Sequence, residues 1–524
     1  MIVFNLLSEF RGWFFSRLCF PILIFGGFFL FLTMVPWIGN WFWLCSSDPM
    51  VFTSALFVAF LIFFLIIYGL FNTFLRLEIR LKIIKIYFVF ASFGFYSILH
   101  PPYLLLLCFT ITLDFWISQC LETRRWLLYV SLASNLSLLG FFKYANFLEA
   151  SLFSLLGLEY TPGSGLLPEI LLPLGISFFT FQSMSYTIDV SRGVLKPVSS
   201  WWDYAFYLSF FPQLVAGPIV KAKDFLPQIR SPIPWSEIPL FASLAWVGLG
   251  VLKKSVLADR LAFAVDPVFS HPDLFSSEAA LLAVLSYGLQ IFLDFSGYSD
   301  IAIGMALFLG FRLPLNFHLP YLASGFSDFW RRWHISLSSW LRDYLYIGLG
   351  GNRISAWITY RNLFLVMLLG GIWHGANWNF LIWGGLHGIF LALERGIANQ
   401  AFRFVPVLAS FSIVRCLYRV FVVGVVFLLW IFFRAEDTST ALRILEKCLN
   451  WETGINPAYT TLRDAGIVIC IVILGHILGR MGFHPRFWES VKIRPILHGL
   501  GFALGILILV FLSVPGKPFI YFVF

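Results

Sequence analysis

Apolar runs long enough to cross a bilayer recur along almost the whole chain, and the polar gaps between them are short. A bilayer core is about 30 Å thick, so a spanning helix needs about 20 mostly apolar residues. By that measure residues 18–38, 51–71, a pair of runs broken at His100–Pro102, 126–142, 355–372, 377–394, 416–433, 464–480 and 496–514 read as spans. Residues 171–190, 204–220, 238–252 and 280–310 are apolar but interrupted. The pattern predicts an all-α polytopic integral membrane protein of about 11–13 spans, with re-entrant and interfacial helices among them. The ten-residue alternation that marks a membrane β-barrel is absent.

Charge placement orients these spans. Residues 39–50 carry no Lys or Arg, whereas residues 76–85 carry Arg76, Arg80, Lys82 and Lys85 against Glu78. The bias of Lys and Arg toward cytoplasmic loops puts the N-terminus inside, residues 39–50 outside and residues 76–85 inside. Arg124 and Arg125 mark a second inner loop; the span near 126–142 ends at "KYANF", and residues 148–169 lie outside. Arg11 and Arg17 precede the first apolar run, which is longer than a signal-peptide core and reads as a retained helix.

Composition agrees with this picture. Of 524 residues 59% are hydrophobic and 12% charged, with a mean hydropathy of +0.85; a soluble chain carries roughly twice that share of charge. The formal charge of +9 comes from residues flanking spans, so it points to membrane topology and lipid rather than to nucleic acid. Seven scattered cysteines form no CxxC pair, so neither a disulfide framework nor a zinc site is expected.

Polar residues inside the apolar runs narrow the function. "FFPQLVAGPIV" places Pro212, Gln213, Gly217 and Pro218 in one run, and "LQIFLDFSGYSDIAIG" places Asp294, Ser296, Tyr298 and Asp300 in another. Carboxylates and broken backbone are tolerated in a bilayer where they are buried in protein or face water. The middle region is therefore expected to surround a hydrated cavity, with Asp294 at its wall.

The stretch "GFSDFWRRWHISLSSWLRDYLYIGLGGNR", residues 325–353, concentrates charge in an oily chain. Taken as one helix over 329–343, it aligns Trp330, Trp333, Leu337, Trp340 and Leu341 as an apolar stripe flanked by Arg331, Arg332 and Arg342. A basic, tryptophan-rich helix of this kind can lie flat on a membrane. Two features suggest more. Asp328 is spaced to pair with Arg331 or Arg332, and His334 falls on the apolar side, beside guanidinium groups expected to be buried with it. Such a cationic rim suits an anionic donor such as the phosphates of a nucleotide thioester.

A second histidine, His374, lies in "LLGGIWHGANWNFLIWGGLHG", residues 368–388. A lone histidine in an apolar helix is commonly a packing residue, but ionisable residues inside a bilayer are expensive and functional by default. The surrounding glycines allow close approach by a substrate chain or another helix. Imidazole is the natural general base near neutral pH, and Asn377 and Trp378, one turn on, are placed to hydrogen-bond it or an oxyanion. His318, His334, His374 and His387 lack the tight spacing of a helical metal motif.

Six blocks in this order carry a resemblance: residues 172–190, 207–219, 292–304, 316–353, 370–388 and 430–437. Across roughly residues 51–450 the chain resembles the membrane-bound O-acyltransferase superfamily, in its bacterial branch of alginate O-acetyltransferases and teichoic-acid D-alanyl transferases. The resemblance implies residues 1–50 as an added N-terminal span, 51–450 as the family core around a central tunnel, and 451–524 as C-terminal membrane helices. It implies His374 as the catalytic histidine and His334 as its support, with Asp328, Arg331, Arg332, Trp333, Arg342, Asn377 and Asp294 binding the donor or lining the tunnel. It also implies acetyl-CoA as donor substrate with no bound cofactor or metal. The implied setting is the bacterial cytoplasmic (inner) membrane, with a periplasmic or extracellular acceptor protein and an exported polysaccharide as partners. The rival expectation, from broken spans with internal Asp and Gln, is a non-catalytic transporter or channel component of a polysaccharide export complex.

Overall fold

The structure, a computed structural model, describes residues 52–398 and 412–482 apart from a few scattered positions. The expected first span in residues 1–50 and the run at 496–514 lie outside the described residues. Among the described residues the chain is helical, and its sole β-type pairing is an isolated bridge between Phe275 and Ile455. Nine described helices are long and apolar enough to span a bilayer. The run expected near 171–190 forms the 16-residue helix Ile176–Ser191, short of the spanning length, and the run near 377–394 forms the helix Trp378–Leu393, which continues as a π-helical segment through Ala398.

The chain divides into two compact units. The first, residues 1–112 and 198–211, contains the helices Ala55–Phe74, Leu77–Leu99 and Trp201–Ser209. Its interior is a phenylalanine cluster: the Phe64 ring lies 5.0 Å from Phe88 and 5.3 Å from Phe211. Lys85, expected only as a topology charge, also pairs with Asp203 at 2.6 Å.

The second unit, residues 113–197 and 212–524, holds the candidate chemistry. Its central helix, Ser277–Phe308, is 32 residues long and buried along most of its length. The interruptions expected at Asp294, Ser296, Tyr298 and Asp300 do not break it, because each polar side chain on it is a local event that leaves the backbone ladder intact. Beside it runs a continuous helical stretch from Leu240 to Ser270 with a π-helical segment at Leu252–Ala258. Small residues allow the two to meet: a Cβ on Gly304 would lie 2.6 Å from Ser243 O, and one on Gly297 would lie 2.8 Å from Gly250 O. Close approach at small residues is the usual route to helix association in lipid.

Lys253 and Lys254 sit on the π-helical segment. Lys253 pairs with Asp300 at 2.6 Å; Lys254 pairs with Asp259 at 2.8 Å and with Asp294 at 2.7 Å. Asp294, expected at the wall of a cavity, lies in an ion triad whose three side chains are at most 3% exposed. Taking charges out of water is costly unless they are paired, and here lysines supply the pairing.

Candidate active site

The site forms where two chain segments deliver their histidines. His374 is the last residue of the helix Ala356–His374. That helix packs on Trp378–Leu393 at glycine positions, since a Cβ on Gly371 would meet Gly384 Cα at 3.0 Å and would also clash with Phe380 O. These glycines therefore serve close helix approach.

His334 is placed by a break. Residues 329–343 are not one helix. Phe326–Arg332 is helical, Trp333 is extended, His334 adopts a left-handed backbone with φ 42°, and the helix resumes at Ile335–Trp340 before a π-helical turn at Leu341–Tyr346. Left-handed backbone at a non-glycine residue is strained and persists where its surroundings fix it. Asn316 does so: its Oδ1 accepts from Ser336 Oγ at 2.8 Å and from Ser336 N at 3.3 Å, and lies 3.1 Å from His334 Nδ1, while Asn316 O accepts from Ile335 N at 2.9 Å. An amide oxygen can only accept, so Nδ1 carries the proton of a neutral His334 ring and Nε2 its lone pair. Nε2 has no hydrogen-bond partner among the described residues.

The two imidazoles come together. Their ring centroids are 6.3 Å apart, and His334 and His374 are 0% and 4% exposed. Trp373, Trp383 and Phe433 wall His374 at 5.0, 5.2 and 5.3 Å, and Phe295 meets His334 at 4.6 Å. A cavity of about 60 Å³ reaches His374, bordered by Lys143, Pro173, Gly175, Ser177 and Val215 among others. Gly175 turns there with φ 77°, where a Cβ would strike Leu214 O. An imidazole walled by aromatic rings and bordering a small cavity is suited to moving a proton with little bulk water around it.

The other candidates separate from this centre. Asp328 accepts from Arg332 Nε at 3.0 Å and from Ser324 N at 2.9 Å; the serine and the guanidinium hold its carboxyl below the usual range against the opposing effect of burial. The pairing expected of Asp328 is therefore present, with Arg332 as partner. Arg331 and Arg342 are exposed, Arg342 bonding Asp343 at 2.7 Å, so the guanidinium groups are not buried beside His334. Trp333 is a core residue, 1% exposed, packed 4.9 Å from Trp430. Asn377 serves as a helix cap. Its Oδ1 accepts from Asn379 N at 2.9 Å and its Nδ2 donates to Glu436 O at 2.7 Å, and neighbouring Trp378 is exposed. Its amide is thus engaged away from His374.

Two further residues stand out in the fold, His387, weighed in the sequence only for metal spacing, and Lys143. His387 is fully buried between Trp330 and Trp383, at 5.0 and 4.9 Å, and neither ring nitrogen has a hydrogen-bond partner among the described residues. The sequence pattern ends a span at Lys143, yet the helix Leu127–Leu155 continues past it and its ammonium donates to His374 O at 2.9 Å. Its signal was a cation followed by renewed apolar sequence, "KYANFLEASLFSLL". Among the described residues no three His, Cys, Asp or Glu side chains gather as metal ligands would.

Comparison with known proteins completes the description. Residues 31–435 match the model of the family described as membrane-bound O-acyltransferase. The chain is 39% identical over 424 residues to a probable alginate O-acetylase of Pseudomonas putida, covering 78% of this chain and 84% of that one. It is 38% identical over 397 residues to a peptidoglycan O-acetyltransferase of Helicobacter pylori, covering 69% and 73%. It is 28% identical over 255 residues to a teichoic acid D-alanyltransferase of Bacillus subtilis, covering 44% and 62%.

Proposed function

The chain belongs to the membrane-bound O-acyltransferase family and is an O-acyltransferase, and on that premise we propose that it moves an acetyl group from acetyl-CoA toward hydroxyls of an exported cell-surface polysaccharide. The observation that carries the reading is the pair of buried imidazoles 6.3 Å apart, one of them bordering a small cavity. The acetyl donor and polysaccharide acceptor are supported by the alginate and peptidoglycan O-acetyltransferase relatives.

In the proposed reaction the acceptor hydroxyl gives its proton to His374 as its oxygen bonds the thioester carbonyl carbon. The carbon–sulfur bond then breaks and CoA leaves as the thiol, taking up a proton. His334, with its Nε2 lone pair facing away from Asn316, orients the donor or relays that proton. The aromatic wall limits hydrolysis of the thioester by water. The basic segments at Arg76–Lys85 and Arg124–Arg125 support a cytoplasmic N-terminus in a bacterial inner membrane. Donor then enters from the cytoplasm, and a periplasmic partner takes the acetyl group onward.

The test is His374→Ala in purified, membrane-reconstituted protein, with CoA release from acetyl-CoA as readout. Turnover should fall at least about 1,000-fold with insertion unchanged. Turnover within tenfold of the parent would remove His374 from the chemistry.

A further inference from the structure

Lys143 is the 17th residue of the 29-residue helix Leu127–Leu155. A cation at that depth in a spanning helix is expensive and, by default, functional. Its ammonium donates to Trp373 O and, at 2.9 Å, to His374 O, and it stands 5.8 Å from the Trp373 ring. Its neighbour Tyr144 donates its hydroxyl to Ile372 O at 2.6 Å. The last three carbonyls of the helix that ends in His374 are thus all held by two consecutive side chains of another helix.

The chemistry of that helix end explains why a cation suits it. The last carbonyls of a helix have no partner within the helix, and the aligned peptide dipoles leave partial negative charge there. Water or a C-terminal glycine usually deals with this. Here Gly375 is extended, with φ −162°, and bonds none of the preceding carbonyls as a left-handed glycine cap would. Lys143 also borders the same cavity as His374.

We propose that Lys143 is a positioning residue for the reaction: with Tyr144 it fixes the terminal turn that aims the His374 ring at the cavity. The inference rests on His374 as the proton acceptor, and it adds a requirement that no other part of the site supplies. Lysine is needed for reach and charge. Arginine keeps the charge and donor capacity, whereas methionine keeps only the volume and the apolar stem.

The experiment compares Lys143→Met, Lys143→Arg and His374→Ala in the reconstituted full chain, scored by kcat and KM for acetyl-CoA per folded protein. A misplacement of about 1 Å at a reacting group costs on the order of 100-fold. Lys143→Met is expected to lower kcat about 100-fold with KM changed less than threefold, and Lys143→Arg to recover at least a tenth of the parent kcat. A structure of Lys143→Met should show the His374 ring displaced. An unchanged kcat, a change confined to KM, or a His374 ring left in place overturns the proposal. If His374→Ala stays active, the function reading fails. If His374→Ala is inactive while Lys143→Met turns over normally, only the role of Lys143 fails. The ring position in Lys143→Met decides that role whichever donor the protein uses.

Discussion

The triad of Lys254, Asp259 and Asp294 invites a pair of substitutions with opposite expected outcomes. Fully ionised, the three side chains sum to one negative charge, and all are at most 3% exposed. Lys254→Met removes the cation that both carboxylates contact within 2.8 Å. Breaking a buried pair by removing one partner costs about 3–5 kcal/mol, and here two carboxylates lose their partner together. At about 2 °C per kcal/mol, the low end for large domains, the thermal midpoint in detergent should fall by about 6–10 °C. Asp294→Asn acts on the other side of the balance. It leaves Lys254 and Asp259 as a one-to-one pair and keeps an amide oxygen facing the ammonium, so the expected change is within about 1 kcal/mol. The assay is the loss of monodisperse protein on heating, followed by CoA release normalised to folded protein. Asp294→Asn should be near the parent in both. A midpoint drop as large as that of Lys254→Met, or a turnover loss at full stability, would show that Asp294 is more than a counter-charge and would return it to the chemistry.

Two further outcomes follow from the geometry. Asn316→Ala removes the acceptor that holds the His334 ring and its left-handed backbone. Turnover should fall roughly 10-fold or more, and Asn316→Asp, which keeps an acceptor oxygen, should lose less; equal loss in both variants would count against the orienting role. Outside the spans, hydrogen bonds from Arg443 and Lys447 hold the Glu452 carboxyl down to about 2 from its ordinary 4.5. A depressed carboxylate contributes its tie fully above about pH 4.5 and loses it as the pH falls toward 2. Limited proteolysis of the 450–456 segment should therefore stay slow at pH 4 and rise only nearer pH 2, and Arg443→Ala should move that rise upward; a rise already complete at pH 4 in the parent would refute it.

What the sequence made legible, and what it concealed, divides along one physical line. Spans were readable because each is a local property of about 20 consecutive residues, and the helices Ala55–Phe74, Ser412–Arg434 and Tyr459–Arg480 fall where the apolar runs do. The two histidines were readable because an ionisable residue in an apolar run is conspicuous by itself. Partnership was not readable, because it joins residues distant along the chain. Asp294 advertised a buried charge, but nothing near it in sequence announced Lys254 as its counter-ion. Asn316 gave no local sign that it would pin the helix break at His334, so the apolar stripe of residues 329–343 read as one continuous helix. Arg331 and Arg342 looked like companions of His334 by spacing on that helix, and the break turned them outward. Lys143 shows the same division most sharply. Its charge ended the apolar run by every local measure, whereas in the fold that charge lies inside a longer helix and answers the carbonyl ends of residues 372–374. A charge within an apolar chain thus marks where water is missing. Whether it faces a cavity, a counter-ion or a helix end depends on which distant segment arrives opposite it. The transporter expectation leaned on Asp294 and Asp300 as lone charges, and both are paired with lysines.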